Sequence, residues 1–506
     1  MSADSNRCRS QPARLAVVGV ALAALTGCMT VGPDYKRPEV PLPAAWRAST
    51  PAAADVVNTA WWENFGDPEL SELIKIALDA NKDLLIAAYR IEQLDARLQV
   101  SQSASMPQVG YNTGVERKQR SEEQPALLAP GRSASYNNHA VNGTLSWEFD
   151  IWGKVARANE SARADLLAAE ETRRTVMLKV ATGVAFAYVQ LLSRDHQLEL
   201  TRQAAANRRE AVALLDIRYK GGSGTLIEVV KARAAAEETE STIAPIERDI
   251  VQIENALSAL LARNPGPIKR RKLEQLKMPP VPQGVPSDVL ARRPDVLAAE
   301  QTLVSANAQI GVAKSQYFPT ISLTSALGLA SDQLQWLLAR TARTSDVSVG
   351  LVGTLFSGGR IEGDIRAAEA LQKLMAQTYL QAVQTALQEV EDALIARAKA
   401  GEQVAVLEQR VKTMRDLVKL SELRFEGGRS TALDVLDSSF QLLGAQGFLA
   451  QGLREQYGAL VGIYKAMGGG WMVEQQNLRS PSKVTGVDAT APSQQTAKAH
   501  EVGNRQ

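Results

Sequence analysis

Residue types that mark several common functional classes are scarce in this chain of 506 residues. It has two cysteines, Cys8 and Cys28, both at the extreme N-terminus, which excludes a disulfide framework and a cysteine-based metal site in the rest of the chain. The three histidines, His139, His196 and His500, are far apart and have no metal-ligand spacing. With so little histidine, no catalytic set for hydrolysis is indicated.

Aromatic residues and an excess of charge are lacking as well. Aromatics make up 5% of the residues, and the formal net charge is only +2, which gives no indication of a nucleic-acid partner. No nucleotide-binding loop of the Gly-x-x-x-x-Gly-Lys-Ser/Thr type is present, which gives no indication of a nucleotide-driven activity. Its abundant Ala, Leu, Gln and Glu favour long helices.

Residues 1–27 have the pattern of an export signal of the lipoprotein type. Arginines precede an apolar run, 15–25, that is too short to span a bilayer. The run ends in Leu25-Thr26-Gly27-Cys28, which resembles the bacterial lipobox; the alternative is a plain secretory signal with a chance cysteine. The lipobox predicts a diacylglycerol and an N-acyl chain, such as palmitate, on Cys28. Met29, rather than aspartate, implies the outer membrane by the sorting rule for such lipoproteins.

The remaining chain contains an internal repeat. Trp152-Gly153-Lys154 matches Gly358-Gly359-Arg360, and the next glycine pair follows 68 residues later in both cases, at Gly221 and Gly427. Asp83 and Asp295 each precede a proline by 24 residues. Spacings that agree over such distances indicate one structural unit used twice.

Four short segments alternate apolar and polar residues, which predicts strands. They lie within 108–151 and 320–357, after Pro107 and Pro319. Each runs about ten residues, the length of a tilted transmembrane strand; four strands of a soluble sheet are the alternative. The alternating apolar residues are Val109, Tyr111, Val115, Val141, Leu145, Trp147, Phe149 and Ile151, then Ile321, Leu323, Leu327, Leu329, Val347, Val349, Leu351 and Leu355.

The number of strands links membrane insertion to oligomerisation. Four strands cannot close around a lumen, and open sheet edges cannot face lipid. Three chains would supply twelve strands, which is an acceptable barrel size. The sequence therefore predicts a mainly α protein with a transmembrane β-barrel shared by three chains.

Two segments without proline, 154–219 and 360–425, predict helices about 100 Å long, a length suited to the periplasm. Glycine-containing tips at 220–225 and 426–431 reverse the chain, and a helix is predicted after each, at 226–262 and 432–467. The predicted organisation is a signal peptide (1–27), an N-terminal equatorial segment (28–80), repeat 1 (81–263), a proline-rich equatorial linker (264–293), repeat 2 (294–472) and a disordered polar tail (473–506).

This plan resembles the outer membrane factor family of TolC/OprM-like proteins, and most closely its NodT-type lipoprotein branch, over about residues 28–472. Local motifs carry the resemblance by their order and spacing: Gly32-Pro33-Asp34-Tyr35, Trp61-Trp62, Phe65-Gly66-Asp67-Pro68, Arg292-Arg293-Pro294-Asp295, Phe356-Ser357-Gly358-Gly359-Arg360 and Asp434-Val435-Leu436-Asp437. It implies a homotrimer in outer-membrane lipid whose 12-stranded barrel continues as a periplasmic α-helical barrel.

The resemblance also implies a function. The chain would be a passive, non-enzymatic channel of a tripartite efflux system, joined to a periplasmic adaptor (membrane fusion protein) and an inner-membrane pump of the resistance-nodulation-division (RND) type. No cofactor is implied, and the exported substrate is left open. The alternatives are a coiled-coil adaptor or structural lipoprotein, the duct of a type I secretion system, and a lipoprotein hydrolase.

The family's tip and gate residues carry over to positions of this chain. The adaptor-docking tips correspond to Gly221, Gly222, Ser223 and Gly224, and to Gly427, Gly428 and Ser430. The acidic constriction corresponds to Asp434 and Asp437, and Glu228 is the matching acid of the first tip. In some members of the family a tyrosine and an arginine lock the tips closed. Phe425 and Ser430 stand at these positions here, and Arg429 next to Ser430 is the candidate latch.

Overall fold

The computed structural model describes residues 30–43, 46, 60–119, 135–279 and 292–469. The predicted signal peptide, Cys28 and the tail 473–506 lie outside these residues, and so do 280–291 of the predicted linker. The described helices are α1 (Pro68–Ala80), α2 (Lys82–Ser103), α3 (Lys154–Lys220), α4 (Leu226–Ser241), α5 (Ile243–Leu260), α6 (Pro294–Ser315), α7 (Arg360–Glu426) and α8 (Ala432–Ala466). The strands are β1 (Gln108–Gln119), β2 (Ser135–Phe149), β3 (Thr320–Ser331) and β4 (Arg343–Val352).

The four strands form one antiparallel sheet in the order β1-β2-β3-β4. The register aligns apolar side chains in rows across one face, for example Trp147, Leu323 and Val349. The other face carries polar side chains, and Asn142 Nδ2 donates to Asn112 Oδ1 across it at 3.2 Å. A sheet with one apolar and one polar face is the wall that a barrel between lipid and a water-filled lumen requires.

Aromatic side chains mark the end of the sheet that joins the helices. Trp147 and Phe149 lie with ring centroids 4.5 Å apart, and Trp152 stacks on Phe318 at 4.7 Å. The Trp152 indole also donates to the carbonyl of Pro319 at 2.8 Å. Aromatic side chains collect at both membrane–water interfaces, so this end of the sheet lies at one surface of the predicted membrane span.

Two strand ends differ from the prediction. β4 ends at Val352, because its partner Thr320 is the first β3 residue in the ladder and Pro319 before it has no N–H to donate. Leu355 lies beyond this end of the strand and is fully exposed. β2 ends at Phe149, so Ile151 belongs to the turn before α3, where its N–H donates to the carbonyl of Phe149 at 3.0 Å.

The helices form a layer whose order follows the sheet. Helix α8 packs against both α3 and α7, while α4 and α5 pack against α3. The edge strand β1 follows α2, and the edge strand β4 leads into α7. Each edge of the sheet therefore continues into an edge of the helical layer, and β1 of one chain can meet β4 of the next in a closed ring.

The two long helices have 67 residues each and span about 100 Å. Helix α3 is long and apolar enough to cross a membrane by length and composition, but most of its apolar stretch is buried inside the protein. That stretch, which includes Val184, Tyr188 and Leu192, packs in the core of the belt around the helices. Packing therefore accounts for its hydrophobicity.

The return helix of the first repeat is interrupted, whereas one helix over 226–262 was predicted. Helix α4 ends at Ser241 and α5 begins at Ile243. Pro245 is the cause, because it has no N–H for the carbonyl of Ser241 and its ring clashes with that carbonyl.

An aromatic core lies where the N-terminal segment meets the helices. Trp61 is fully buried and stacks on Tyr464 of α8, with ring centroids 4.9 Å apart. Asp67 caps α1 by accepting from the Glu69 N–H at 2.9 Å and also accepts from the Tyr188 hydroxyl at 2.7 Å. The motif around Trp61 and Asp67 thus joins the equatorial segment to α3 and α8.

Residues 30–37 run antiparallel to α6, with residue 30 nearest the sheet. Asn307 Nδ2 donates to the carbonyl of Pro33 at 2.8 Å, and Arg37 pairs with Glu300 at 2.6 Å. The Val31 N–H donates to the carbonyl of Trp152 at 3.0 Å, beside the end of the sheet that joins the helices. This places the first described residues at the membrane surface.

Candidate functional site: two helical tips and an acidic helix face

Both tips reverse the chain with the same backbone turn. At the first, the Ser223 N–H donates to the carbonyl of Arg218 at 2.9 Å, and Gly222 has a φ of +75°. At the second, the Arg429 N–H donates to the carbonyl of Arg424 at 2.8 Å, and Gly428 has a φ of +65°. This is the Schellman arrangement that ends helices at a left-handed residue.

Only the second glycine of each pair needs to be glycine. Gly221 and Gly427 have φ values of −83° and −77°, which any residue can adopt. A Cβ added to Gly222 or Gly428 would meet no atom within 4 Å, so the positive φ is the whole constraint there. The predicted docking residues at the two tips are exposed except for Gly224 and Ser430, which are half-buried.

Two of the three acids predicted at the tips, Glu228 and Asp434, close capping boxes. Glu228 Oε2 accepts from the Thr225 N–H at 2.7 Å, and Asp434 Oδ2 accepts from the Thr431 N–H at the same distance. In return, each threonine hydroxyl accepts from the N–H of its acid at 3.4 Å. Both acids therefore hold the first turn of a return helix, a role that the pattern Thr-x-x-Glu/Asp would have revealed.

The capping bonds stabilise the ionised carboxylates. The backbone N–H of Thr225 lowers the pKa of Glu228, and that of Thr431 lowers the pKa of Asp434. Asp437 lies one turn further along α8, and its Oδ2 accepts from Gln441 Nε2 at 2.7 Å. Asp434 and Asp437 are both exposed at spacing i and i+3, so the structure places them on one face of α8.

The candidate latch is an exposed arginine at the second tip. Arg429 is exposed, and its side chain makes no ion pair within the described residues. Ser430, at the position of the family's arginine, donates to the carbonyl of Ser421 at 3.4 Å. Phe425, at the position of the family's tyrosine, lines a groove beside the tips.

That groove lies between the two helical hairpins and encloses about 560 Å³. Leu214, Phe425 and Val435 supply apolar lining. Glu210 and Glu422 also line the groove, together with Glu426 at the end of α7. The tips thus offer an apolar groove flanked by negative charge, which is complementary to an apolar helix with basic residues.

A basic strap in the linker is a feature that the sequence-based prediction missed. Within 269–272, Lys269 pairs with Glu69 at 2.6 Å, and Arg270 pairs with both Asp195 and Glu254. Arg271 and Lys272 add longer pairs with Asp67 and Glu199. The strap ties α1, α3 and α5 together, so this part of the linker is a structural clamp. Four consecutive basic residues were its only signal in the sequence.

Four strands per chain, long helical hairpins and an aromatic band at the membrane surface define an outer-membrane duct. The family model described as "Outer membrane efflux protein" matches residues 73–263 and 285–469. The chain belongs to that family. Each chain contributes four strands to a trimeric barrel that continues as a helical barrel. The protein is an outer-membrane channel component of an efflux system.

Relatives and solved structures agree with this assignment. The chain is 30% identical over 468 residues to the toluene efflux pump outer membrane protein TtgF of Pseudomonas putida, covering 90% of this chain and 96% of that protein. It is 29% identical over 468 residues to the cation efflux system protein CusC of Escherichia coli, covering 91% and 99%. The MtrE outer membrane channel of Neisseria gonorrhoeae superposes with a TM-score of 0.78 at 27% identity, covering 87% and 98%.

Proposed function

We propose that this chain is the passive exit duct of a tripartite pump, in which a periplasmic adaptor docks on the two tips and an RND-type inner-membrane pump supplies the energy. The observation that carries the proposal is the pair of equivalent tips with an acid-flanked apolar groove between them. A helical hairpin with apolar and basic residues fits this groove by shape and charge. The tips lie at the end of the molecule farthest from the sheet, where a partner from the inner membrane would arrive.

Site-specific crosslinking tests the docking proposal. Ser223→Cys places a thiol on the exposed first tip, and a photo-crosslinker attached there in intact cells should capture the adaptor. Gln335→Cys is the matched control, because it is exposed on the connection between β3 and β4 at the opposite end of the molecule. Equal capture of the adaptor at both positions would exclude the tip as the docking site. So would a lack of capture at Ser223→Cys when the trimers are stable and carry the crosslinker.

The acidic face of α8 is the proposed periplasmic gate. In a trimer, Asp434 and Asp437 would supply six carboxylates around one axis, where mutual repulsion and a negative potential concentrate cations. Glu228 has the same capping role on α4 but lies in the hairpin at the edge of the chain. We therefore assign the gate to the second tip and a supporting structural role to Glu228.

Arg429 is the proposed latch, with its partner on a neighbouring chain. The Arg429 guanidinium is exposed, makes no ion pair with any described residue and follows Glu426 of the groove by three residues, so it can form an ion pair across a chain boundary. Arg429→Ala should raise the ion leak of the purified trimer in a planar bilayer. Unchanged conductance would exclude Arg429 as a latch.

Cys28 is the proposed lipid attachment site. Thr30, two residues later in the chain, lies against Gly153 at the periplasmic end of the sheet, where an added Cβ would be 2.7 Å from the Thr30 methyl carbon. Acyl chains on Cys28 would therefore reach the inner leaflet of the outer membrane directly. Cys28→Ala should abolish labelling by an alkyne palmitate analogue, and Cys8→Ser should preserve it. Labelling that persists in Cys28→Ala would disprove the assignment.

A further inference from the structure

Helix α8 has a single exposed stripe. Between Asp434 and Gln451, the exposed residues recur at intervals of three and four, while every residue between them is half-buried or buried. This spacing averages 3.4 residues, close to the 3.5-residue repeat that keeps a stripe on one face of helices that coil around each other. The stripe consists of Asp434, Asp437, Gln441, Gly444, Phe448 and Gln451.

The stripe extends the acidic face away from the tip. Because α3 and α7 cover the two flanks of α8, the stripe is the part of this helix left open to one side of the helical layer. Asp434 and Asp437 begin it, so if they line the lumen as proposed above, the whole stripe lines it. The inference below rests on that gate assignment.

Phe448 is the exception on this polar stripe. Its side chain is 54% exposed, and it is the only large apolar residue exposed on α8 among the described residues. The Arg410 guanidinium of α7 lies 5.2 Å from the ring centroid, within the range of a cation–π contact that holds the ring in place. A Cβ added to Gly444 or Gly447 would meet nothing within 4 Å, so the space beside the ring is open.

The ring is separated from the acidic gate. Phe448 follows Asp437 by 11 residues, which places it about 16 Å further along the helix. Three-fold symmetry puts three phenyl rings at one height. An apolar ring in a polar lumen offers no hydrogen bonds to water, and it therefore favours apolar surfaces over hydrated ions.

We propose that the three Phe448 side chains form an apolar collar inside the duct, beyond the acidic gate. The collar contacts the apolar and aromatic parts of transported molecules and raises the barrier for hydrated ions. Phe448 is thus a specificity-determining residue of conduction, distinct from the acids at the tip.

Thiol accessibility tests whether the collar faces the lumen. The only other cysteine retained after removal of the signal peptide is Cys28, whose thiol is the proposed lipid attachment site. A charged methanethiosulfonate reagent should therefore block single-channel current through Phe448→Cys and Asp437→Cys trimers by at least about half. Block at 437 without block at 448 would overturn the collar and leave the gate intact. Absence of block at both positions would overturn the gate assignment and the collar with it.

The phenyl deletion then tests selectivity. With both acids of the gate retained, Phe448→Ala should raise potassium conductance roughly two-fold and lower cellular resistance to apolar exported compounds more than to polar ones. Phe440→Ala is the matched control, because Phe440 is half-buried off the stripe, with the Arg208 guanidinium 3.7 Å from its ring centroid. Equal effects of the two deletions, or equal loss of resistance to both compound classes, would contradict the collar.

Discussion

The return helices of the two repeats begin in the same way and continue in different surroundings. Each starts with a glycine turn and a capping box, at Thr225 and at Thr431. The first is then broken between α4 and α5, and it lies at one edge of the helical layer. The second, α8, continues unbroken between α3 and α7. The local sequence therefore determines the conformation of the tips, whereas packing against neighbouring helices determines which faces of the return helices are exposed.

The exposed side chains on the two return helices differ accordingly. Leu226, Ile227 and Val230 on α4 are all more than half exposed in the single chain, whereas the open stripe of α8 is mainly polar. Exposed apolar groups at the edge of the layer are suited to burial against a neighbouring protein surface, such as the next chain of the trimer. Polar groups on the stripe stay in water, as expected of a lumen.

The largest effect should come from moving the helix break into the second repeat. At the repeat offset of 206 residues, Gln451 is the position equivalent to Pro245. Gln451→Pro should cost about 3 kcal/mol or more, because it removes an interior hydrogen bond of α8. We expect the heat-resistant trimer to disappear on gels.

The reciprocal change is the control for that swap. Pro245→Gln restores an N–H for the carbonyl of Ser241 and should stabilise the trimer by no more than about 1 kcal/mol, measured as a small rise in Tm. Strong destabilisation by Pro245→Gln, or tolerance of Gln451→Pro, would mean that the two return helices do not differ in the way described.

A smaller effect should distinguish the two glycines of each tip. Gly428→Ala forces a left-handed alanine and should destabilise the second tip by about 1–2 kcal/mol, whereas Gly427→Ala should be nearly neutral. The same contrast is expected for Gly222→Ala and Gly221→Ala. Hydrogen exchange of tip peptides measures it, and equal losses within a pair would contradict the turn geometry.

The main elements of the fold could be predicted from the sequence because their signals are local. Alternation with period two located the strands, and the absence of proline located α3 and α7. The break at Pro245 was equally local, yet it was missed inside a segment assigned to one helix. The strap at 269–272 was not predicted, because its acidic partners lie on three different helices.

The candidate site was only partly predictable for a similar reason. Resemblance proposes Asp434 and Asp437 as gate residues, and their shared face follows from helical spacing. The exposure of Phe448 depends on which flanks α3 and α7 cover, and that is information about tertiary packing. Periodicity alone does not separate an open face of α8 from a covered one.

The smallest effect should be the pH response of the two caps. The pKa values of Glu228 and Asp434 are lowered in the folded tips. The stability that these carboxylates contribute is therefore fully present above their pKa values in the unfolded chain, which are about 4. It is lost as pH falls through their lower pKa values in the folded protein. Hydrogen-exchange protection of the tips, corrected for intrinsic rates, should therefore be unchanged between pH 7 and pH 5. Thr431→Val is the control that removes one box at every pH. Loss of protection in that range would contradict the capping assignment.

The central claim is that the second tip, and not the first, constricts the duct with negative charge. The most direct measurement is the reversal potential of purified trimers under a KCl gradient in planar bilayers. The wild-type trimer should be cation-selective, Asp434→Asn combined with Asp437→Asn should lose that selectivity, and Glu228→Gln, which alters the equivalent cap, should retain it. Retained selectivity in the double variant, or equal loss in Glu228→Gln, would contradict the account.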